Sequence, residues 1–295
     1  MKNILKLITL SIFFSLFIIS CGDDDEDMTP TTRNLTLNLS GLDALGADFV
    51  YEGWIIVNGT PVSTGTFTSV SFPQTFTVNY NQLSNAAKFV LSIEPVNDTD
   101  PAPSNTKILA GDFSGNSATM GGGTVGDFSN AAGKYILATP TNGAMTNENS
   151  GIWFLDPSSG TPMAGLTLPT LPEGWKYEGW VVINGTPVTT GKFTKVAATD
   201  EFNGFSGTMA LPMPNGADGF FPGEDFLQGA PMGLMFPTDI AGGTAVISIE
   251  PEPDNSPMPF TLKPLVGNIA DDATDHTPYT MNQNLASFPS GTVAR

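Results

Sequence analysis

The sequence predicts an all-β chain: two tandem Ig-like antiparallel β-sandwich modules behind a signal peptide and an acidic tether. Three observations predict it. Residues 51–67 read YEGWIIVNGTPVSTGTF and residues 177–193 read YEGWVVINGTPVTTGKF, identical at 12 of 17 positions. Ser-Ile-Glu-Pro then recurs at 92–95 and 248–251, so the repeating unit is a module and not one motif. With 32 Gly, 24 Pro and only 14% charged residues, short apolar runs alternate with turn signals, and helical periodicity is scarce.

Lys2 and Lys6 precede an apolar run from Leu7 to Ile19, the charge-then-apolar grammar of a secretory signal and too short to span a bilayer well. Ile18-Ile19-Ser20-Cys21 resembles a bacterial lipobox. That resemblance implies a signal peptide over 1–20, cleaved to leave Cys21 as a lipidated N-terminus and a lipid anchor in a membrane. An ordinary signal peptide would instead leave a lone thiol in an oxidising compartment. Asp23 to Asp27 form a like-charge block that stays solvated, so 21–33 reads as a tether. An acidic run after such a cysteine also resembles a lipoprotein surface-export signal. This implies an outer-membrane lipoprotein of the bacterial cell envelope, periplasmic or surface-exposed.

Module 1 is expected over 34–165 and opens on the alternating Leu35-Thr36-Leu37-Asn38-Leu39; module 2, over 166–295, opens on Leu166-Thr167-Leu168. Trp54 to Val57 are aromatic or β-branched without a polar break, as in a strand covered on both faces. Asn58-Gly59 and Asn184-Gly185 supply the two positive-φ residues of a type I′ hairpin. Tyr51, Trp54, Tyr177 and Trp180 read as core anchors, with an aromatic platform for a sugar or peptide as the competing reading. Glu52 and Glu178 read as strand-mouth acceptors rather than catalytic carboxylates. Lys88–Pro95 and Gly243–Pro251 are strands, and Glu94 and Glu250, equivalent in the two copies, are expected to do the same structural job. A Pro-bearing loop follows each, and Tyr135–Leu137 with Ile152–Leu155 are expected to close module 1. Asn97, Asp98, Asp100, Asp254 and Asn255 fit Asx turns better than a calcium loop, so no metal and no cofactor is expected.

Net charge is −18, and Lys2 and Lys6 belong to the signal, which argues against nucleic acid as a partner. Cys21 and His276 are the only residues of their kinds, which excludes an internal disulfide and argues against Ser-His-Asp or Cys-His catalysis.

Between the Trp and the Glu-Pro motif the second copy is 30 residues longer, the repeat offset growing from 126 (Tyr51 to Tyr177) to 156 (Ser92 to Ser248). The excess lies in 202–243. Its Phe220, Phe221, Phe226, Met232 and Met235, around the acidic pair Glu224-Asp225, make a candidate partner-binding surface. The competing reading folds the loop over its own sandwich.

The modules resemble the extracytoplasmic C-terminal domain of anti-sigma-K factors, with its aromatic-x-x-Trp strand, Pro-Val-x-x-Gly-x-Phe return and Glu-Pro strand end. The matches are Tyr51, Trp54, Pro61, Val62, Gly65, Phe67, Glu94, Pro95 and Pro101, and again Tyr177, Trp180, Pro187, Val188, Gly191, Phe193, Glu250, Pro251 and Pro257. The resemblance implies a sensory or interaction module with no catalytic residues. The family's cytoplasmic sigma-binding helices and membrane span have no counterpart here, so direct sigma-factor binding is not expected. The expected function is a non-enzymatic envelope lipoprotein that recognises an envelope protein. One alternative is a surface carbohydrate binder, which requires Trp153 or Trp175 to be exposed. The other is a glycosidase, which requires two of Glu52, Glu94, Glu178 and Glu250 to share a cleft.

Overall fold

The computed structural model describes residues 30–214, 220–254 and 256–295. The expected signal peptide, Cys21 and the acidic block lie outside them. In chain order the strands are β1 (Thr32–Ser40), β2 (Phe49–Val57), β3 (Thr60–Phe67), β4 (Gln74–Asn79), β5 (Ala86–Pro95), β6 (Lys107–Ser114) and β7 (Ser117–Met120). Next come β8 (Ala132–Leu137), β9 (Gly151–Trp153), β10 (Leu155–Asp156), β11 (Met163–Ala164), β12 (Leu166–Thr167), β13 (Trp175–Ile183) and β14 (Thr186–Phe193). The last are β15 (Gly223–Asp225), β16 (Thr244–Pro251), β17 (Leu265–Asn268), β18 (Tyr279–Gln283) and β19 (Ser290–Ala294). One short helix, α1 (Tyr80–Ser84), interrupts them, its first turn capped by the Asn79 side chain.

The repeated stretch forms the expected hairpin twice. Asn58 and Gly59 take φ of 51° and 82°, and Asn184 and Gly185 take 50° and 82°, so each two-residue loop is left-handed at both positions. A bulge follows at the same place in each copy: the register shifts between Gly53 and Trp54 in one and between Gly179 and Trp180 in the other. The first glycine of each bulge is a close approach. A Cβ on Gly53 would lie 2.5 Å from Thr64 Oγ1, and one on Gly179 would lie 2.2 Å from Thr190 Oγ1.

Two antiparallel sheets result, making an all-β, sandwich-like protein. The first has the order β3-β2-β5-β6-β7-β19-β1-β4, and the second β14-β13-β16-β17-β18-β8-β9-β15 with β12 beside β8. The hairpins and their two following strands occupy matching places. The fillers are exchanged. β19 sits between β7 and β1 in the first sheet, and β8 and β9 enter the second. This corrects the expectation that Tyr135–Leu137 and Ile152–Leu155 close module 1: Tyr135 pairs with Tyr279 of β18, and Trp153 with Gly223 of β15. Strand pairing therefore crosses the 165/166 boundary in both directions.

Residues Thr31–Arg295 make one compact unit. One continuous core runs through it, from Leu35, Tyr51 and Phe89 to Phe154, Tyr177, Ile247 and Val293. Among the described residues no helix is long and apolar enough to cross a membrane.

Candidate functional site

The anchors lie where the pattern places them. Tyr51, Trp54, Tyr177 and Trp180 are all buried. Tyr51 stacks on Phe67 and Tyr177 on Phe193, each with ring centroids 5.5 Å apart, and each Tyr hydroxyl donates to a backbone carbonyl eight residues upstream, Asp43 or Pro169. Trp54 Nε1–H donates to Ser92 Oγ at 2.8 Å, the Ser92 hydroxyl donates to Glu94 Oε1, and that oxygen also accepts Ser104 N–H at 2.9 Å. The second copy repeats the chain: Trp180 to Ser248 at 2.8 Å, Ser248 to Glu250 Oε1, and Phe260 N–H to the same oxygen at 2.9 Å. Glu94 and Glu250 thus fasten the strand end to the Pro-bearing loop that follows, tying the Trp of one strand to a loop across the sheet. Trp153 and Trp175 are buried too, which removes the exposed indole that the carbohydrate reading required.

The loop residues divide. Phe221, Glu224, Asp225 and Phe226 are buried, so the expectation that they meet a partner is corrected: they hold the loop to the fold. Asp225 accepts from Thr141 N–H at 2.8 Å and from Trp153 Nε1–H at 2.9 Å, and Glu224 accepts from the Ser206 hydroxyl. Phe226 packs with Phe205 and Phe236 in a ring cluster. Burial pushes the Glu224 carboxyl up to about 7 and that of nearby Asp200 to about 6. Phe220 is partly exposed and borders a small apolar hollow with Trp153 and Leu211, while Met232 and Met235 are fully exposed.

A more substantial concavity lies elsewhere, where the two Glu-Pro loops face one another. It is a cleft of about 710 Å³. One wall comes from the first copy, with Phe49, Ile93, Pro95 and Ser104 to Thr106; the other comes from Glu250 to Asp254, Ser256 and Met258 to Phe260 of the second. Gly174 seats the walls against each other: at φ 88° it has room for no side chain, since a Cβ would lie 2.9 Å from the Asn105 carbonyl carbon. Asp43, Glu173, Glu250, Glu252 and Asp254 line the cleft and, among the described residues, no Lys, Arg or His does, so apolar surface is framed by negative charge. Sequence reasoning missed this site. The Pro-bearing loops were visible, but their facing depends on the exchanged strands.

Beneath the second wall, one carboxylate oxygen from each of Glu178, Glu250 and Asp254 lies within 4.8 Å of the other two. Among the described residues no other trio of Asp, Glu, His or Cys comes so close. Burial pushes both glutamates up to about 7. Lys192 Nζ stands 3.3 Å from Asp254 Oδ2 and 3.5 Å from Glu252 Oε2. Burial pulls its ammonium down, but Asp254, Glu252 and Glu178 together leave it raised. Glu178 does not line the cleft, so the pair is not presented to a substrate as two flanking carboxylates. Glu52, its counterpart, is half-buried and accepts from the Ser63 hydroxyl. The expected Asx turns are present: Asp98 Oδ1 accepts Asp100 N–H, and Asp254 Oδ1 accepts Ser256 N–H. Asn255 lies outside the described residues.

Residues 28–107 match the family model Anti-sigma-K factor rskA, C-terminal. That segment of the chain is similar to the C-terminal domain of anti-sigma-K factors. The match spans β1 to β5 and the loop that forms the first wall of the cleft. No curated protein and no solved structure matches the chain.

Proposed function

We propose that this is a non-enzymatic lipoprotein of the bacterial envelope, held by Cys21, whose anti-sigma-K-like modules recognise a protein partner in the cleft between the Glu-Pro loops. The observation that carries the reading is the family match over 28–107 ending on a wall of the 710 Å³ cleft. An apolar floor ringed by acids suits an extended segment that carries Lys or Arg beside apolar side chains. The acidic block after Cys21 supports a solvated tether that holds the modules away from the bilayer.

Met258 lines the cleft and is 53% exposed, and Met163, 59% exposed, is not among its lining residues. A photo-crosslinking side chain in place of Met258, activated on intact cells, should capture a partner through a basic and apolar peptide that the same group at Met163 does not capture. Adducts identical from both positions would remove the cleft assignment. Cys21→Ser should move the protein from the membrane pellet to the soluble fraction; retention in the pellet would remove the anchor.

A further inference from the structure

We propose that Glu178, Glu250 and Asp254 form a binding site for a hard divalent cation, calcium foremost. Three acids near one another are common without an ion, and here a second observation points to one. Glu178 is 5% exposed and Glu250 1% exposed, and in each the Oε2 atom is buried and accepts no hydrogen bond. The partners of Oε1 are accounted for: the Thr189 hydroxyl for Glu178, and Ser248 with Phe260 N–H for Glu250. Each glutamate is therefore held in place by one oxygen and leaves the other buried without a hydrogen bond, in a trio whose carboxylate oxygens come within 4.8 Å of one another.

A buried carboxylate oxygen without a partner is costly, and two from residues of one cluster more so. Lys192 offsets only part of this charge, being shared between Asp254 and Glu252. A donor set made only of carboxylate oxygens selects a hard cation over zinc or copper. Glu250 and Asp254 also line the cleft, which gives an ion a route in and lets water complete its shell. Asp254 would turn one oxygen from Lys192 to the ion while Oδ1 keeps its bond to Ser256 N–H. The first copy supplies an internal control. Asp98 makes the same turn, but Glu52 is half-buried and bonded to Ser63, and Thr66 stands where the second copy has Lys192.

The test uses the full chain, stripped of calcium, at fixed ionic strength. Trp180 is linked through Ser248 to Glu250 and should sensitise Tb³⁺ bound at the cluster. Emission excited through tryptophan should be displaced by Ca²⁺ with a midpoint of about 0.1–1 mM, the range of extracellular calcium modules. Calcium should also raise Tm. Asp254→Asn should weaken binding by about tenfold or more, and Asp98→Asn should leave it unchanged. Lys192→Gln removes the competing ammonium and should tighten calcium binding; this variant decides the matter if Asp254→Asn does not fold. No calcium-dependent change in Tm or emission in the unaltered chain overturns the proposal and leaves a proton shared by the glutamates as the neutralising species. Emission that Asp254→Asn leaves intact, or calcium binding that Lys192→Gln fails to strengthen, overturns it equally.

Discussion

Ser92 is fully buried and contributes almost no apolar surface, yet it is the middle link between Trp54 and Glu94. Replacing it with Ala strands the Trp54 indole N–H in the interior and leaves Glu94 Oε1 with the Ser104 N–H alone, and an orphaned buried group costs about 1–3 kcal/mol. Urea denaturation of Ser92→Ala should show a loss in that range. Ser63→Ala, which removes an exposed hydroxyl from Glu52, should change stability by less than about 0.5 kcal/mol. Equal losses for the two would mean that the buried chain is not a source of stability. A second set of buried acids gives the protein a pH dependence. Glu224 and Asp200 hold their protons more tightly folded than unfolded, because burial raises them from ordinary values of 4.5 and 3.8 to about 7 and about 6. Their contribution is therefore complete below about pH 4 and is lost as pH rises through those folded values. Tm should fall between about pH 5 and pH 8, and Glu224→Gln should flatten that fall. An unchanged slope in the variant would show that the loss comes from other groups.

The hairpins were legible from the sequence because everything that makes them is local: an Asn-Gly pair, β-branched flanks, and a glycine beside the Trp. The Trp, Ser and Glu of the internal chain were legible only as a repeated pattern, and their bonding became visible with the register of β2 on β5 and β13 on β16. Glu224 and Asp225 misled because an acidic pair in a long loop reads as surface. Thr141 and Trp153, which bury Asp225, lie 84 and 72 residues away. β19 gave no signal at all: of its five residues only Val293 is buried. The strand is nonetheless paired on both edges, and the Arg295 guanidinium behind it donates to the carbonyls of Leu83 and Ala86 at 2.7 Å. Val293 alone is worth about 1.5–3 kcal/mol in burial. Removing residues 290–295 should thus cost more than that and expose the edges of β1 and β7, read as a lowered Tm and dye binding to apolar surface. A truncated chain with unaltered Tm would show that the first sheet closes without β19.

Taken together, the exchanged strands make the two repeats one body with one core, and the cleft exists because that body sets the two Pro-bearing loops face to face. Length and the repeat suggested two modules that could each bury a core alone, and nothing in the local pattern distinguishes that arrangement from an interlocked one. The pairing that decides it links residues such as Leu37 and Val293, far apart in the chain.

The slot between β1 and β7 also dictates an order of assembly. Until the C-terminal end of the chain arrives, the first repeat remains an open sheet with two unpaired rims, because its missing strand is residues 290–294. Every strand of the second sheet has emerged before that strand has, so the half synthesised first is the half completed last. Over that interval the incomplete fold carries two edges able to pair with any extended polypeptide nearby.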